Sequence, residues 1–254
     1  MVHLRILGTV QLHAPDGGEV RAVLAQPRRF ALLVWLALHG TVQRDTLLGV
    51  FSPESDTRRA RSALRNALHF LRHHLGAETI ESIGDGGLRV SSERLECDVR
   101  AFEDWLDRGR LAEAIELYRG DLLAGFHIDG APEFERWVEE ERSRLHGRTI
   151  DALAELIEQA EEAGRRELAA HYARRALSLE PLDESIVRRL VTLQWREGDR
   201  PGAIRTYEEF VDLLETEYDL EPTPETTALV ESLRRETREA AAPAPEAEGP
   251  ESLD

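Results

Sequence analysis

"TRRARSALRNALHFLRHHLG", residues 57–76, holds five arginines and three histidines and no carboxylate, in a 254-residue chain of formal net charge −17. Turned at 100° per residue, it sets Leu64, Leu68, Leu71 and Leu75 in an apolar stripe about 60° wide, flanked by Ala60 and Ala67. The opposite side collects Arg58, Arg59, Ser62, Arg65, Asn66, His69 and His73, with Arg61 and Arg72 at its edge. The spacing predicts an amphipathic helix, begun by Ser55-Asp56 after Pro53 and ended by Gly76. Its polar face resembles a base-reading inventory: Arg can fork onto guanine, Asn onto adenine, and Ser serves either base. A solvated helix face is the alternative reading. Such faces usually mix signs to gain i, i+4 pairs, yet this one accepts arginine repulsion in a chain with acid to spare, and a face that meets phosphates cannot carry acid.

Upstream, "QRDTLLGVF" (43–51) reads as a shorter helix. A short helix followed by the arginine-rich one has the form of a helix-turn-helix, whose second helix enters the major groove. Arg58, Arg59, Ser62, Arg65, Asn66 and His69 are then candidates to face base edges. Arg28, Arg29, Arg44, Arg61, Arg72 and Arg89 are candidates for phosphate or wing contacts. Backbone contacts position and base contacts specify. "QPRRFALLVWLALHG" (26–40) is apolar on most faces, with Pro27 suited to a first turn and Gly40 to an end, and predicts a well-buried helix. Leu4, Ile6, Val10 and Leu12 share a face, and with the turn "PDGGE" and "VRAVL" (20–24) they predict a small antiparallel sheet. "TIESIGDGGLRVS" (79–91) predicts two strands around a Gly-rich turn, either a wing with Arg89 opposite Leu88 and Val90, or a plain hairpin closing the core.

Charge is unevenly spread. Residues 1–96 hold 12 arginines against 10 carboxylates, and residues 97–254 hold 20 against 39. That asymmetry suggests two halves with different partners. All 32 basic residues are Arg, which excludes P-loop, Schiff-base and kinase lysines. Cys97 is the only cysteine, so an intrachain disulfide and a Cys-based zinc cluster are excluded, and a reducing cell interior is the natural setting. The N-terminus has no charged region leading into an apolar core, and no run of ~18 apolar residues follows. The expectation is a cytoplasmic protein with no membrane partner. No G-x-S-x-G, H-E-x-x-H or glycine-rich phosphate loop occurs, so no enzyme class, catalytic residue or cofactor is indicated.

Past Cys97 the pattern is helical with Gly-containing breaks. Gly164 and Gly198 lie 34 positions apart, as do Ala169 and Ala203, and Gly109 with Ala114 repeats the offset. This is the tetratricopeptide period. "AIELY" (114–118) and "AIRTY" (203–207) share three of five residues. Ala169, Ala173, Ala176 and Pro181 sit where the second helix of such a repeat needs small residues and a stop. "EAAAPAPEAEGPESLD" (239–254) reads as a disordered tail or a linker.

Other clusters have plainer readings. His69 and His73 have an i, i+4 spacing that suits a metal, but a third ligand is not evident, so no metal site is assigned. Glu139–Glu141 reads as a solvated helix face, because catalytic carboxylates need burial and a cleft. Trp105, Trp137, Trp195, Tyr118 and Tyr207 fit helical core positions, with a ligand groove as the alternative.

At this level the chain resembles bacterial transcriptional activators of the antibiotic-regulatory (SARP) type. In the first half the resemblance rests on "RRFALLVWLAL", "RDTLL", the spacing from Arg61 and Leu64 to "LRHHLG", and "GGLRV". In the second it rests on "DVRAFEDWL", "YRGDLLAGFHIDGAPEFERWVEEERSRL", "LEPLDES", "GDRPGAIRTYEEF" and "DLEPTPET". It covers roughly residues 2–238. The resemblance implies an α+β winged helix of the response-regulator (OmpR) type over 1–96, followed by an all-α, tetratricopeptide-like bacterial transcriptional activator domain over 97–238. It further implies an activator that binds tandem repeats of double-stranded DNA near promoters as a homodimer and contacts RNA polymerase. Four positions depart from the family pattern: Leu88 replaces a wing aromatic, Phe51 replaces a Trp, and Arg65 and Asn66 stand around the positions where Gln and Thr are usual. No family operator is therefore transferred. The rival reading is a tetratricopeptide-type interaction scaffold whose N-terminal module no longer binds DNA.

Overall fold

β1 (Val2–Arg5) and β2 (Gln11–His13) pair antiparallel with Leu4 opposite Leu12, in a computed structural model that describes residues 1–53 and 56–241. The segment "VRAVL", expected to extend this sheet, instead forms the single helical turn α1 (Arg21–Leu24), with Val23 fully buried. α2 (Pro27–His39) follows, begun by Pro27 and ended at Gly40, whose φ is 69°. Phe30, Ala31, Leu33, Val34 and Leu36 are all inaccessible, so this helix is the core of the N-terminal segment, as its apolar faces predict. β3 (Val42–Gln43) leads into α3 (Arg44–Phe51) and α4 (Thr57–Leu75).

The Asp56 carboxylate accepts from the backbone N–H groups of Arg58 and Arg59 at 3.2 and 3.4 Å, giving α4 the N-cap its sequence predicts. Ser55, the other half of that predicted cap, lies outside the described residues. At the far end the Gly76 N–H donates to the Arg72 carbonyl, and the buried Thr79 hydroxyl donates to the Leu75 carbonyl at 2.7 Å. Ala60, Leu68, Leu71 and Leu75 are buried and Leu64 is half-buried, which reproduces the predicted stripe.

β4 (Ile80–Ile83) and β5 (Gly87–Val90) form the predicted hairpin, and β3 joins it to give the antiparallel order β3-β5-β4. Ile80, Leu88 and Val90 point inward. β6 (Leu95–Cys97) returns to the first sheet and lies parallel to β1, in the order β2-β1-β6. No local pattern signals this partner, because its register joins residues more than ninety positions apart.

α5 (Asp98–Asp107), α6 (Leu111–Leu117) and α7 (Pro132–Glu162) follow. The Asp98 carboxylate accepts from the N–H groups of Ile6, Leu7 and Val99 at 2.8, 2.9 and 2.9 Å. Leu7 bridges to Leu122, and the Leu123 N–H donates to the Ile6 carbonyl. These bonds tie the chain after residue 97 to the end of β1. By compactness the division therefore falls between Ala152 and Leu153, whereas the sequence reading places a boundary between 96 and 97.

The second unit contains α8 (Arg166–Leu179), α9 (Glu184–Arg196), α10 (Arg200–Leu213), a π-helical turn at Leu214–Tyr218, and α11 (Pro224–Ala241). One apolar cluster joins Ala169, Ala170 and Ala173 to Leu190 and Leu193, and a second gathers Val187, Ala203, Phe210 and Val230. Trp195 and Tyr207 pack on the second cluster, the core role expected for them. α11 runs three residues into the segment read as a tail from 239, and the rest of that segment lies outside the described residues.

The three Gly–Ala offsets share one backbone geometry. Gly109, Gly164 and Gly198 have φ of 71°, 69° and 87°. At each corner the residue after the glycine donates its N–H to the carbonyl five positions back: Arg110 to Trp105, Arg165 to Ala160, Asp199 to Gln194. This is the six-to-one bond of a Schellman stop. The same residue's carbonyl then accepts from Ala114, Ala169 or Ala203 and opens the next helix. All three alanines are essentially inaccessible, so a small side chain lets the paired helix approach closely.

Candidate nucleic-acid interface

α4 has 19 residues, and a rise of 1.5 Å per residue makes it about 28 Å long, ample to cross a major groove about 12 Å wide. Arg58, Arg59, Ser62, Arg65, Asn66 and His69 are all exposed. Among the described residues, none of these six side chains makes a hydrogen bond, ion pair or ring contact. The helix has no acid in its first turn, and the basic residues of its last turn are Arg72, His73 and His74. A face held this way can meet base edges without first breaking an internal pair.

The six arginines assigned to phosphate or wing contacts are placed differently, since each has an internal partner. Arg72 donates from Nε to the Ile80 carbonyl at 2.9 Å and from Nη2 to Ser82 Oγ at 3.3 Å, pinning α4 to the β4–β5 hairpin. Arg44 Nη2 reaches the same Ser82 hydroxyl at 3.3 Å. Arg89 and Glu81 are cross-strand partners, with Arg89 Nη2 donating to Glu81 at 2.7 Å. That bond, joined by one from Ser91, holds the Glu81 carboxyl below its ordinary range. Arg61 lies 3.8 Å from Asp45 on α3. The Arg29 guanidinium covers the Phe70 ring at 4.1 Å. Arg28 Nη2 donates to the carbonyls of Asp129 and Gly130 at 3.1 and 2.9 Å. A guanidinium has five donors, so each retains N–H groups for an anion, while Arg28 and Arg72, bonded to backbone carbonyls, are also structural anchors.

α3, α4 and the hairpin turn enclose a cleft of about 610 Å³. Arg44, Arg61, Arg65, Arg72 and His69 line it together with Asp45 and Asp85. The two aspartates escaped the sequence reading. Neither belongs to the arginine-rich helix, and only folding brings Asp85 from the hairpin turn to that helix.

Elsewhere, Tyr118 and Trp137 are packing groups, whereas the half-buried Trp105 borders a cleft that it shares with Asp98 and Arg119. Tyr118 is buried, and Trp137 lies with its ring centre 4.8 Å from those of Trp35 and His39. Glu139, Glu140 and Glu141 pair with Arg142, Arg136 and Arg144 respectively. His73 and His74 contact each other, with His74 also against Phe70. Burial pushes the Cys97 thiol up to about 12, helped by the neighbouring Asp98 charge.

Residues 97–234 match the bacterial transcriptional activator domain. The chain belongs to that family. The activator-domain match begins at Cys97, where β6 ends and Asp98 bonds back to β1. The regulatory protein AfsR of Streptomyces griseus is 27% identical over 257 residues, covering 95% of this chain and 25% of that protein. The chain thus spans about a quarter of the length of this relative. Among solved structures, Mycobacterium tuberculosis EmbR, in complex with a low-affinity phosphopeptide, superposes with a TM-score of 0.57 at 22% identity. That match covers 92% of this chain and 65% of the EmbR chain, and it concerns the fold. The resemblance to activators of the antibiotic-regulatory type, drawn from the sequence, agrees with the family match and this relative. No described helix of this activator-domain protein is long and apolar enough to cross a membrane.

Proposed function

We propose that the chain is a sequence-specific, DNA-binding transcriptional regulator of the activating kind, with residues 1–96 acting as a winged helix and α4 as its major-groove helix. The observation that carries this reading is the carboxylate-free face of six exposed side chains on α4 that have no internal partner among the described residues. α3 precedes it as the first helix of a helix-turn-helix, and the β4–β5 hairpin takes the place of the wing. Arg58, Arg59, Ser62, Arg65, Asn66 and His69 would face base edges, while Arg28, Arg29, Arg44, Arg61, Arg72 and Arg89 would line the phosphate path. The acidic helical half repels DNA and suits protein partners. A second copy of the chain on tandem half-sites, and RNA polymerase, are the partners proposed for it. The setting is the bacterial cytoplasm.

A mobility shift of genomic fragments at ~100 mM salt tests the reading, since specific complexes survive there. Asn66→Ala should relax preference at one base position by ~1–3 kcal/mol. Arg61→Gln should weaken all sequences alike and lower the salt slope by about one. Arg72 is a poor reporter of the same effect, because its loss also frees the hairpin from α4. Equal losses on preferred and random DNA for Asn66→Ala would refute the assignment of α4.

The three matching Gly–Ala corners favour a second reading, a tetratricopeptide-type scaffold. Failure to find any preferred fragment would select it.

A further inference from the structure

Four guanidinium groups converge on the cleft between α3, α4 and the hairpin turn, yet two carboxylates share it. We propose that Asp45 and Asp85 act as a brake on phosphate binding and set the sequence-independent part of DNA affinity; the inference rests on the DNA-binding reading above.

Asp45 stands in the first turn of α3, with its carboxylate 3.8 Å from the Arg61 guanidinium on α4. Their side chains are 85% and 64% exposed. So open a pair contributes little to stability, and folding does not account for it. What it does is occupy a cation that borders the base-reading face. Asp85 sits at the hairpin tip between Gly84 and Gly86, whose φ values are 51° and 99°. Its side chain is exposed and makes no hydrogen bond among the described residues. The Gly86 carbonyl accepts from the Arg44 N–H at 3.2 Å, and Arg44 Nη1 lies 3.9 Å from where a Cβ on Gly86 would stand. The turn thus brings Asp85 to the cleft that Arg44 also lines. Asn serves a tight turn as well as Asp does, so the turn does not require the charge.

A DNA phosphate entering this cleft meets the Asp45 charge beside Arg61 and comes close to Asp85. Every sequence meets the same opposition, so base contacts on α4 keep their full share of discrimination while backbone affinity falls. The hairpin tip also cannot enter the minor groove as a cationic reader, because its outermost charge is negative and Arg89 is tied to Glu81.

The test titrates the full chain with a preferred fragment and a random duplex across a salt series, for the native protein, Asp85→Asn, Asp85→Ser and Asp45→Asn. Each neutral variant should bind both duplexes about threefold to tenfold more tightly at 50 mM salt, with little change in slope, because the same arginines take phosphates in either case and only the opposing carboxylate is removed. The gain should shrink at ~300 mM salt, where screening shortens these interactions. The preferred-to-random ratio should stay unchanged, and Asp85→Glu should match the native protein. Unchanged or weaker binding by both Asp85 variants and Asp45→Asn, at unchanged melting temperature, overturns the brake alone. A gain confined to the preferred fragment also overturns it. Absence of binding by all proteins overturns the DNA-binding reading and the brake with it.

Discussion

Replacing Asp98 by alanine should destabilise the first compact unit by about 3 kcal/mol. Its Oδ2 accepts from the N–H groups of Ile6 and Leu7, and Oδ1 from that of Val99. Ile6 and Leu7 are 0% and 2% exposed, so without the carboxylate their amides lose their partner out of reach of water. A buried unsatisfied donor costs about 1–3 kcal/mol, which gives about 2–6 kcal/mol for the two. Part of that is offset because a buried charge disappears as well. Burial is the main influence on this carboxyl and moves it above its ordinary range, against the pull of the three N–H bonds and of Arg5. The folded state therefore holds the proton more readily than the unfolded chain. Stability from this group is fully present below the unfolded value and is lost as pH rises through the folded one. Urea unfolding followed by tryptophan fluorescence in a Trp195→Phe background would report on Trp35, Trp105 and Trp137, all in the first unit. The Asp98→Ala midpoint should fall with little change in slope, and Asp98→Asn should abolish the decline on the alkaline side of the carboxylate range. A loss under ~1 kcal/mol would show that the amides of Ile6 and Leu7 find other partners, and would refute the tie between β1 and α5.

Three further outcomes are expected. His39 stacks on Trp35 at 3.9 Å, and burial lowers its pKa against the opposing hydrogen bond to the Trp35 carbonyl and the Glu141 charge. The stability it contributes is present above the ordinary histidine range and is lost on acidification through it, so His39→Gln should flatten the melting temperature between pH 7 and pH 5. Cys97, buried and raised to about 12, should resist a thiol reagent at pH 8 and react only at the rate of unfolding. Gly164→Ala forces a Cβ into left-handed backbone at φ 69° and should cost about 1–2 kcal/mol by urea unfolding, while the exposed Gly147→Ala, inside α7, should be neutral or slightly stabilising.

The elements set by short-range patterns were legible. Proline and glycine bracket α2, Asp56 and Gly76 bracket α4, and the alternation of Ile80, Leu88 and Val90 marks the hairpin. The corner glycines were legible too, because a left-handed stop followed by a buried alanine leaves the same offset each time. "VRAVL" misled because five residues of mixed character suit a strand or a helical turn equally. The burial of Val23 within a helical turn decided between them. β6 could not be seen locally, since its partner β1 lies at the other end of the N-terminal segment.

For the candidate site, the amino-acid order alone determined that α4 would have an apolar stripe and an opposite face free of acid, because a 3.6-residue period converts spacing into sides. Tertiary structure decided which charges stand free. Sequence reasoning assigns Arg28, Arg44, Arg61, Arg72 and Arg89 to phosphate or wing contacts and Arg58 and Arg65 to base edges, but it names no internal partner for any of them. Folding gave the first five a carbonyl, hydroxyl or carboxylate partner from distant positions and left the last two open to solvent. It also carried Asp85 from a hairpin tip into the arginine-lined cleft. Electrostatic partnership depends on distance through space, and that distance exists only once the chain has folded.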